Sequence, residues 1–414
     1  MNFRVQKDFA KLWVGQTVSE VCSRITREGL PLTALLTLHA NAAQMGVLSA
    51  ISSASVFIFG LGAGVLVDRW KKRPVMIAAD LGRAGLLGLV PLAAFAHVLS
   101  ITALMIIAAL AGTLTVLFDV AYQSYLPVLV EPGKLLESNK RLSISSSAAE
   151  MLGPAVTGVL VQTITAPLAI LLDALSFLLS AFSVWAIRKP ETAPEREGDD
   201  VPLVSEALDG MRFIWNHPAL RALLLRSVTA FLAMGFIFPL YLLNAIRVVH
   251  LSTSALGISI ALGGAGSLVG ASVAGRLSTR HGLGRTFWGT AVLMGCAQCL
   301  IPLSSQFPHV GFVCLCLQQF IGDMMWTIYI VNETTLRQLL APDQVIGRVS
   351  AAMQLASRGM LPFGALCGGF LAERFGIVWA LWLGAAGVLL SCLWLIPLRR
   401  SREIRELQAD SAAE

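Results

Sequence analysis

A few charged residues inside long apolar runs are the side chains of this sequence that are best placed to do chemistry. Glu20, Arg24, Arg27 and Glu28 are spaced three and four residues apart, so a helix would carry them on one face. An ionisable group deep in a membrane costs about 2.5–3.5 kcal/mol on insertion scales, so each needs an opposite charge, a wet cavity or a function. Glu20–Arg24 and Arg24–Glu28 are i,i+4 pairs of opposite charge. Arg27 has no acidic partner at this spacing. We expect Arg27 either to bridge to an acid on another helix or to bind an anionic group of a ligand.

Two more acids and one more base lie near the middle of other apolar runs. Glu150 and Asp323 are the acids, either of which could pair with Arg27, and Arg358 is the base. Ion pairing inside a helix bundle is one interpretation of this set. The other is proton exchange, for which a half-buried carboxyl group is suited, with Asp323 as the first candidate and Glu28 and Glu150 next.

The run that contains Asp323 carries further polar and aromatic side chains at helical spacing. Gln319, Asp323, Trp326, Ile330 and Glu333 would share one face of a helix. Aromatic residues at this spacing pack in a core more often than they bind a ligand. With that alternative open, the predicted ligand site consists of Glu20, Arg24, Arg27, Gln123, Tyr241, Asn244, Trp326, Asn332, Glu333 and Arg358.

The elements that must position these residues are membrane-spanning helices. Hydrophobic residues make up 56% of the 414-residue chain and charged residues only 14%, which is typical of a polytopic membrane protein. A span needs about 20 apolar residues. The runs that qualify are 12–38, 46–67, 75–97, 100–126, 142–164, 167–187, 219–245, 255–278, 286–305, 309–336, 347–373 and 376–397. We therefore predict an all-α membrane protein with twelve transmembrane helices.

The chain repeats itself at about half its length, which predicts two pseudo-symmetric bundles of six helices. Gly64–Arg73 is a short polar hairpin between two apolar runs, and Gly275–Arg285 repeats the pattern. Leu129–Pro132 (LVEP) is likewise matched by Leu339–Pro342 (LLAP), 210 residues further on. Internal repeats of this kind are typical of two-fold membrane architectures.

A change of composition between the two halves marks a linker. Its second part carries Leu203, Ala207, Leu208, Met211 and Ile214 on one face, so we expect an amphipathic helix on the membrane surface. The start of the chain lacks a cleavable signal pattern, so the first helix is expected to be an uncleaved anchor. The predicted domains are a first bundle at 1–187, a cytoplasmic linker at 188–217, a second bundle at 218–398 and a cytoplasmic tail at 399–414.

The net charge of +6 is distributed as in a membrane protein and does not indicate nucleic-acid binding. Most Lys and Arg residues lie in the termini and in the loops on one side of the predicted bilayer. Arg247 and Arg374 lie in loops on the other side. Because loops rich in positive charge face the cytoplasm, both termini are predicted to be cytoplasmic.

Several motifs resemble the major facilitator superfamily. Gly64, Asp68, Arg69 and Arg73 resemble its gating signature loop between helices 2 and 3, and Thr279 stands where the second copy would have the acid. The resemblance covers the whole chain and extends to one bacterial branch, that of the enterobactin exporters and macrolide efflux proteins. The phrases that resemble this branch are Phe9, Leu12, Trp13, Gly15, Gln16 and Ser19, Leu30–Leu32 (LPL), Asp80–Arg83 (DLGR), Gly153–Pro154 and Asp209–Arg221 (DGMRFIWNHPALR).

The resemblance implies a secondary transporter whose two bundles rock about a central site. Asp119 resembles the helix 4 acid that meets the loop arginines, so it is expected to gate the path with Arg69 or Arg73. Gly153 and Pro154 resemble the glycine-proline motif of antiporter helix 5, where small residues permit close packing and bending. The resemblance also implies export from a bacterial cytoplasm driven by a proton gradient, without a cofactor, by a monomer in the inner membrane.

The sequence carries no motif of an enzyme or a metal site. GxxxxGK[ST], HExxH and GxSxG do not occur, so we expect neither ATP hydrolysis nor metal- or serine-dependent hydrolysis. Cys296 and Cys299 form a CxxC, but no second pair and no nearby His accompany them. We expect the seven cysteines to be buried free thiols.

From the sequence we predict proton-coupled export of an amphiphilic organic compound, such as a drug or a siderophore-like metabolite. The mixed central charges favour zwitterionic or anionic compounds over purely cationic ones. Two alternatives stay open. One is proton-coupled import of a small organic anion, since the same fold does both. The other is a membrane scaffold or lipid-handling protein without small-molecule flux, which the charged face of the first helix speaks against.

Overall fold

The computed structural model describes residues 3–68, 70–130, 132–189, 191, 203–342 and 345–400, and the regular elements in these ranges are helices. Helices form along the apolar runs because a chain in a bilayer must satisfy its backbone hydrogen bonds within each segment. The helices are α1 (Phe3–Leu36), α2 (Ala42–Asp68), α3 (Lys72–Phe95), α4 (Ile101–Leu129), α5 (Leu135–Ile164), α6 (Ala166–Trp185), α7 (Leu203–Asn216), α8 (Pro218–Arg247), α9 (Thr253–His281), α10 (Leu283–Gln306), α11 (Gly311–Leu340), α12 (Ile346–Arg358), α13 (Met360–Phe375), α14 (Ile377–Leu390) and α15 (Ile396–Arg400).

Ten helical segments in the described part of the chain are long and apolar enough to cross a membrane. They are α3 to α6, α8 to α11, the α12–α13 pair and the segment from α14 into α15. Two further helices have the length of a span, α1 with 34 residues and α2 with 27, and α1 carries the charges of the first run. The all-α membrane fold is therefore confirmed, and the number of twelve spans stays a prediction.

The last two predicted spans are each interrupted. α12 ends at Arg358 and α13 begins at Met360, so Gly359 separates two helices where one was predicted. α14 passes at Ser391 into a 3-10 turn before α15 begins. Glycine weakens a helix interior, which accounts for the break at Gly359.

The chain divides into two compact units. Unit 1 consists of Met1–Asn41, Ile51–Asp199 and Ser252–Ala261, and unit 2 consists of Ala42–Ala50, Asp200–Leu251 and Leu262–Glu414. Each unit has its own apolar core. In unit 1 the core surrounds Tyr125, and in unit 2 it surrounds Phe287 and Tyr329. The start of α2 thus belongs to unit 2, and the start of α9 belongs to unit 1.

The linker helix α7 packs on protein, contrary to our expectation that it lies on the membrane surface. Ile214 is fully buried in the core of unit 2, and Met211 packs against the same core. Gly210 allows α7 to approach α12, since a Cβ there would lie 3.1 Å from the amide nitrogen of Val349. The sequence correctly predicts that α7 has an apolar face. That face packs against α12 and α8 rather than against lipid. Leu208 of the predicted face is 64% exposed.

The turns before α6 and before α14 share an unusual backbone. Thr165 has φ 85° and ψ 156°, and Gly376 has φ 94° and ψ 151°. Glycine adopts positive φ readily, whereas threonine does so under strain. Because the two turns occupy equivalent places in the repeat, the backbone repeats here even though the residue types differ.

Candidate functional site

The first charged cluster lies in unit 1, where α1 meets α5. Arg24 Nη1 lies 3.3 Å from Glu150 Oε1, and the two side chains are 20% and 63% exposed. Gly153 allows this approach, because a Cβ there would lie 2.5 Å from Arg24 Cβ. The ion pair is therefore accessible, although both residues belong to helices of membrane-spanning length.

The remaining central charges of α1 differ in their neighbours, since Glu20 interacts electrostatically with Asp119 and Tyr122 of α4. Arg24 and Arg27 both attract Glu28, and Arg27 is exposed. The bridge to Glu150 that we expected from Arg27 is made by Arg24. The reason is local, since Arg24 is the residue that faces the gap left by Gly153 on α5.

A second cluster of charge is buried among α3, α4 and α6. Asp80 and Arg83 of α3 form an ion pair and are 0% and 4% exposed. The Arg83 guanidinium carbon lies 4.5 Å from the ring centroid of Phe118 and 4.0 Å from that of Phe177. A desolvated cation over an aromatic face gains about 2 kcal/mol, so both rings help to hold the arginine in the core.

Two further acids of unit 1 are attracted to Arg83. Asp173 of α6 is fully buried and accepts hydrogen bonds from Ser23 at 3.3 Å and Ser176 at 3.0 Å. Asp119 of α4 interacts electrostatically with the same guanidinium. Three carboxylates, one of them ion-paired, thus face one arginine.

Arg73 of the signature loop has a different partner from the one we expected. Its guanidinium donates to the carbonyls of Val184, at 3.1 Å, and Trp185 at the end of α6. A cation is favoured there because the carboxyl end of a helix carries partial negative charge. Asp119 interacts electrostatically with Arg83, while Arg73 is bonded to α6. The alternative partner, Arg69, lies outside the described residues, so the gating role of Asp119 stays a prediction.

The other loop residues cannot be compared with our expectation. The backbone of Gly64 and Asp68 lies in α2, but their side-chain positions fall outside the described residues, as does Arg69 altogether. Their gating role stays a prediction.

Charged side chains also bind the helix ends near Arg73 and hold this side of unit 1 together. The Glu191 carboxylate accepts hydrogen bonds from the first two backbone amides of α3. Asp8 lies 2.7 Å from Lys11 Nζ and accepts hydrogen bonds from two amides that follow α6. Burial acts to raise the pKa of Asp8, but Lys11 and the amides outweigh it and leave the pKa below its ordinary value of 3.8.

Unit 2 contains a fully buried arginine, Arg226 of α8. Its guanidinium carbon lies 3.8 Å from the ring centroid of Tyr329 and 5.8 Å from that of Trp326. Nη2 lies 3.7 Å from Met294 Sδ, while Nε and Nη1 have no hydrogen-bond partner among the described residues. Arg226 is thus held by aromatic faces and lacks the direct ion pair that Arg83 has.

Glu333 lies between two cations. Its carboxylate is 3.1 Å from Arg337 Nη1 on the same helix and is attracted by Arg226 of α8. Glu333 is only 3% exposed. In this conformation the predicted ligand-binding acid is therefore an ion-pair partner inside unit 2.

Asp323 lies where α11 meets α9. A Cβ on Gly263 would overlap with the Asp323 carboxylate, and a Cβ on Gly266 would overlap with a backbone carbonyl of α11. One turn further along α11, Trp326 packs edge-on against Phe231 with ring centroids 5.7 Å apart. The first candidate for proton exchange thus occupies a close helix contact that glycine makes possible.

The other predicted ligand residues fall into two groups. The Asn244 amide is bonded to two serines of α10, at 3.2 and 2.6 Å, and Asn332 donates to a carbonyl of its own helix at 2.7 Å. Tyr241 is buried, whereas Gln123 and Arg358 are exposed. The amide groups of the two asparagines serve helix packing here, and a role of these five residues in binding stays a prediction.

Four buried charges of the apolar runs, Asp80, Arg83, Asp173 and Arg226, are absent from the predicted site. A charge inside an apolar run is the signal that reveals them. Arg83 is visible in the sequence only as the end of the DLGR phrase. Asp173 and Arg226 lack a charged neighbour at helical spacing, so no pair draws attention to them.

Thiols and metal ligands add little to the site. The seven cysteines are free, as expected, but only Cys392 is buried. Cys296 and Cys367 are exposed and the other four are partly exposed, so the expectation that all are buried is wrong. Lipid-facing helix surfaces accept a thiol as they accept other small apolar groups. Within the described ranges, no group of three or more His, Cys, Asp or Glu residues is arranged to hold a metal ion.

Known proteins resemble this chain over most of its length. A family model described as transmembrane secretion effector matches residues 3–413. Macrolide efflux protein A of Streptococcus pyogenes is 24% identical over 403 residues, which cover 96% of this chain and 97% of the relative. The multidrug efflux pump Tap of Mycobacterium tuberculosis is 26% identical over 358 residues, which cover 83% and 82%.

Two solved structures have the same fold. The nucleoside transporter NupG matches with a TM-score of 0.75 and 11% identity, over 97% of this chain and 100% of that chain. A bacterial homologue of the iron transporter ferroportin, in an inward-facing state, matches with a TM-score of 0.72 and 18% identity, over 96% and 99%. At such identities the likeness concerns the fold alone.

Proposed function

This chain belongs to the transmembrane secretion effector family of the major facilitator superfamily, and we propose on that premise that it exports a zwitterionic amphiphile in exchange for protons. It is a membrane transporter and not an enzyme. The efflux proteins among its relatives support the outward direction. The asymmetric distribution of Lys and Arg supports a location in the cell membrane with both termini in the cytoplasm.

The observation that carries the proposal is the accessible ion pair of Arg24 and Glu150. Antiport needs a group that can bind the proton or the substrate, but not both at the same time. Glu150 is suited to this, because its exposed carboxylate can take a proton or an ammonium group of a ligand. Arg24 and the exposed Arg27 offer guanidinium groups to an anionic part of the same ligand.

Geometry ranks the three candidate acids. Glu150 has the side chain that is 63% exposed. Glu28 lies beside two arginines of its own helix and is less exposed than Glu150. Asp323 lies in a close contact between two helices. We therefore propose Glu150 as the first candidate for the proton-exchanging group. The sequence alone had placed Asp323 first.

The amphiphilic nature of the substrate is supported by the relatives and by the charges of α1 and α5. The relatives' names concern macrolides and multiple drugs, and the described charges of α1 and α5 include both signs. A compound with one amine, one anionic group and an apolar body would use both halves of the ion pair.

A proton-release assay tests the proposal. Inverted vesicles are energised to an acid interior, and a pH-sensitive dye reports the gradient while macrolides, zwitterionic drugs and siderophores are added in turn. We compare the wild type with Glu150→Gln and Asp323→Asn. Glu137→Gln is the matched control, because Glu137 lies on the same helix in an exposed ion pair with Arg141 at 3.1 Å.

The expected result is that a compound collapses the gradient with the wild type and with Glu137→Gln, and that Glu150→Gln abolishes the response. A full response in Glu150→Gln with loss in Asp323→Asn would move proton exchange to Asp323. If no compound acts in inverted vesicles but one acts in right-side-out vesicles, the direction is import and the proposal fails.

A further inference from the structure

Two apolar grooves lie on the surface of unit 1, on either side of the first turns of α3. One groove, of about 510 Å³, lies towards α4 and is walled by Leu114 and Leu117. The other, of about 500 Å³, lies towards α6 and is walled by Ile77 and Trp185. Lys71 borders both grooves, so they meet at one cation.

Of the loop cations that the structure describes, Lys71 is the one whose side chain makes no hydrogen bond or ion pair within the protein. Lys72 Nζ donates to the Trp70 carbonyl at 3.3 Å, and the Arg73 guanidinium donates to carbonyls of α6. Lys71 is exposed, and within the described ranges no hydrogen bond or ion pair involves its side chain. The first amides of α3 are bonded to Glu191, so the helix end itself offers no free donor to an anion.

Two tryptophans mark the depth of Lys71 in the bilayer. Trp70 is 52% exposed beside the first groove, and Trp185 is 63% exposed beside the second. Exposed Trp residues concentrate at the level of the lipid headgroups. The grooves run from this level along α3, where the surrounding medium is hydrocarbon, so an acyl chain is their natural occupant.

We propose that the grooves and Lys71 form a binding site for one anionic diacyl phospholipid, with the phosphate on Lys71 and one acyl chain on each side of α3. Two chains and one headgroup match two grooves and one cation. Three cations, Lys71, Lys72 and Arg73, outnumber the one acid that lines the second groove, Glu191, so the local charge favours a headgroup with net negative charge.

A quenching experiment with the full-length protein tests this proposal. The protein is reconstituted into phosphatidylcholine vesicles that contain a fixed fraction of phosphatidylglycerol or phosphatidylcholine brominated near the headgroup. Bromine quenches tryptophan at short range, and subtraction of the Trp70→Phe variant isolates the Trp70 signal. Lys71→Gln tests the headgroup contact. Lys140→Gln is the matched control, because it removes one exposed lysine from α5, which borders neither groove.

We expect brominated phosphatidylglycerol to quench Trp70 more than brominated phosphatidylcholine at the same mole fraction. Lys71→Gln should lower this preference about fivefold, the effect of about 1 kcal/mol for one cation near an anionic surface, while Lys140→Gln leaves it unchanged. Ala78→Phe, which fills space in both grooves, should lower quenching by both lipids. Equal quenching by the two lipids in the wild type, or an unchanged preference in Lys71→Gln, would show ordinary boundary lipid and overturn the proposal.

Discussion

The two buried arginines should respond in opposite ways to the same substitution by methionine. Methionine has a similar length and no charge. In Arg226→Met, two nitrogen atoms without a hydrogen-bond partner, Nε and Nη1, leave the core, and the folded state gains about 1–3 kcal/mol for each. The contacts of the guanidinium with Tyr329 and Trp326 are lost, at about 2 kcal/mol or less each. Since Glu333 keeps its ion pair with Arg337, the net change is expected to lie between zero and a stabilisation of about 3 kcal/mol.

Arg83→Met is the matched control. Here the substitution leaves the fully buried Asp80 without its counter-charge. Breaking a buried ion pair from one side costs about 3–5 kcal/mol. The two variants should therefore differ by at least about 3 kcal/mol, or about 6–12 °C in melting temperature for a unit of this size.

The assay is thermal unfolding of both variants and the wild type in one detergent, followed by a thiol-reactive dye, with transport measured in parallel. We expect Arg226→Met to fold at least as stably as the wild type and to lose transport, because a charge kept where an apolar residue is more stable points to function. If Arg226→Met is destabilised as much as Arg83→Met, then Arg226 is satisfied in the folded protein and the reasoning from its unbonded nitrogens is wrong. If it is stable and fully active, the functional part is wrong.

Two further predictions concern stability. Asp8→Asn should lower the melting temperature at pH 7, because a depressed pKa stabilises the fold wherever Asp8 is ionised, and the difference should vanish as the pH falls below 3.8. A melting series along α9 should rank three Gly→Ala variants by what the new Cβ meets. Gly275→Ala, with open space around it, should gain about 0.5–1 kcal/mol, Gly263→Ala should be near neutral because the Asp323 carboxylate can turn away, and Gly266→Ala should lose about 1–3 kcal/mol against a rigid carbonyl.

The fold could be predicted from the sequence because each helix follows from the length of one apolar run. What escaped prediction depends on contacts between runs. The break at Gly359 follows Ser357 and Arg358 and precedes Pro362, whose missing N–H removes one helical hydrogen bond. Pro31 lies inside an intact helix, so the local sequence alone does not single out this position. The apolar face of α7 was visible, but the pattern alone does not say whether lipid or another helix covers such a face.

The candidate site shows the same limit at the level of single side chains. Spacing predicts that Arg24 and Arg27 lie near one face of α1, but not which of them an acid on α5 will reach. That choice depends on Gly153, whose missing side chain leaves room for Arg24 alone. Asp119 was expected to face a loop arginine because it resembles the helix 4 acid of the superfamily, and only the packing of α3 against α4 brings Arg83 close to it.

The internal repeat is preserved more closely in the backbone conformation than in the positions of the charged residues. The turns at Thr165 and Gly376 keep one conformation with different residues. The buried arginines do not follow the repeat, since Arg83 comes from the third predicted span and Arg226 from the seventh, which is equivalent to the first. Within the described ranges Arg83 has an ion pair, whereas Arg226 has the longer-range attraction of Glu333 and two nitrogen atoms without a hydrogen bond. The two halves therefore share a backbone plan but bury their arginines on different helices and with different partners.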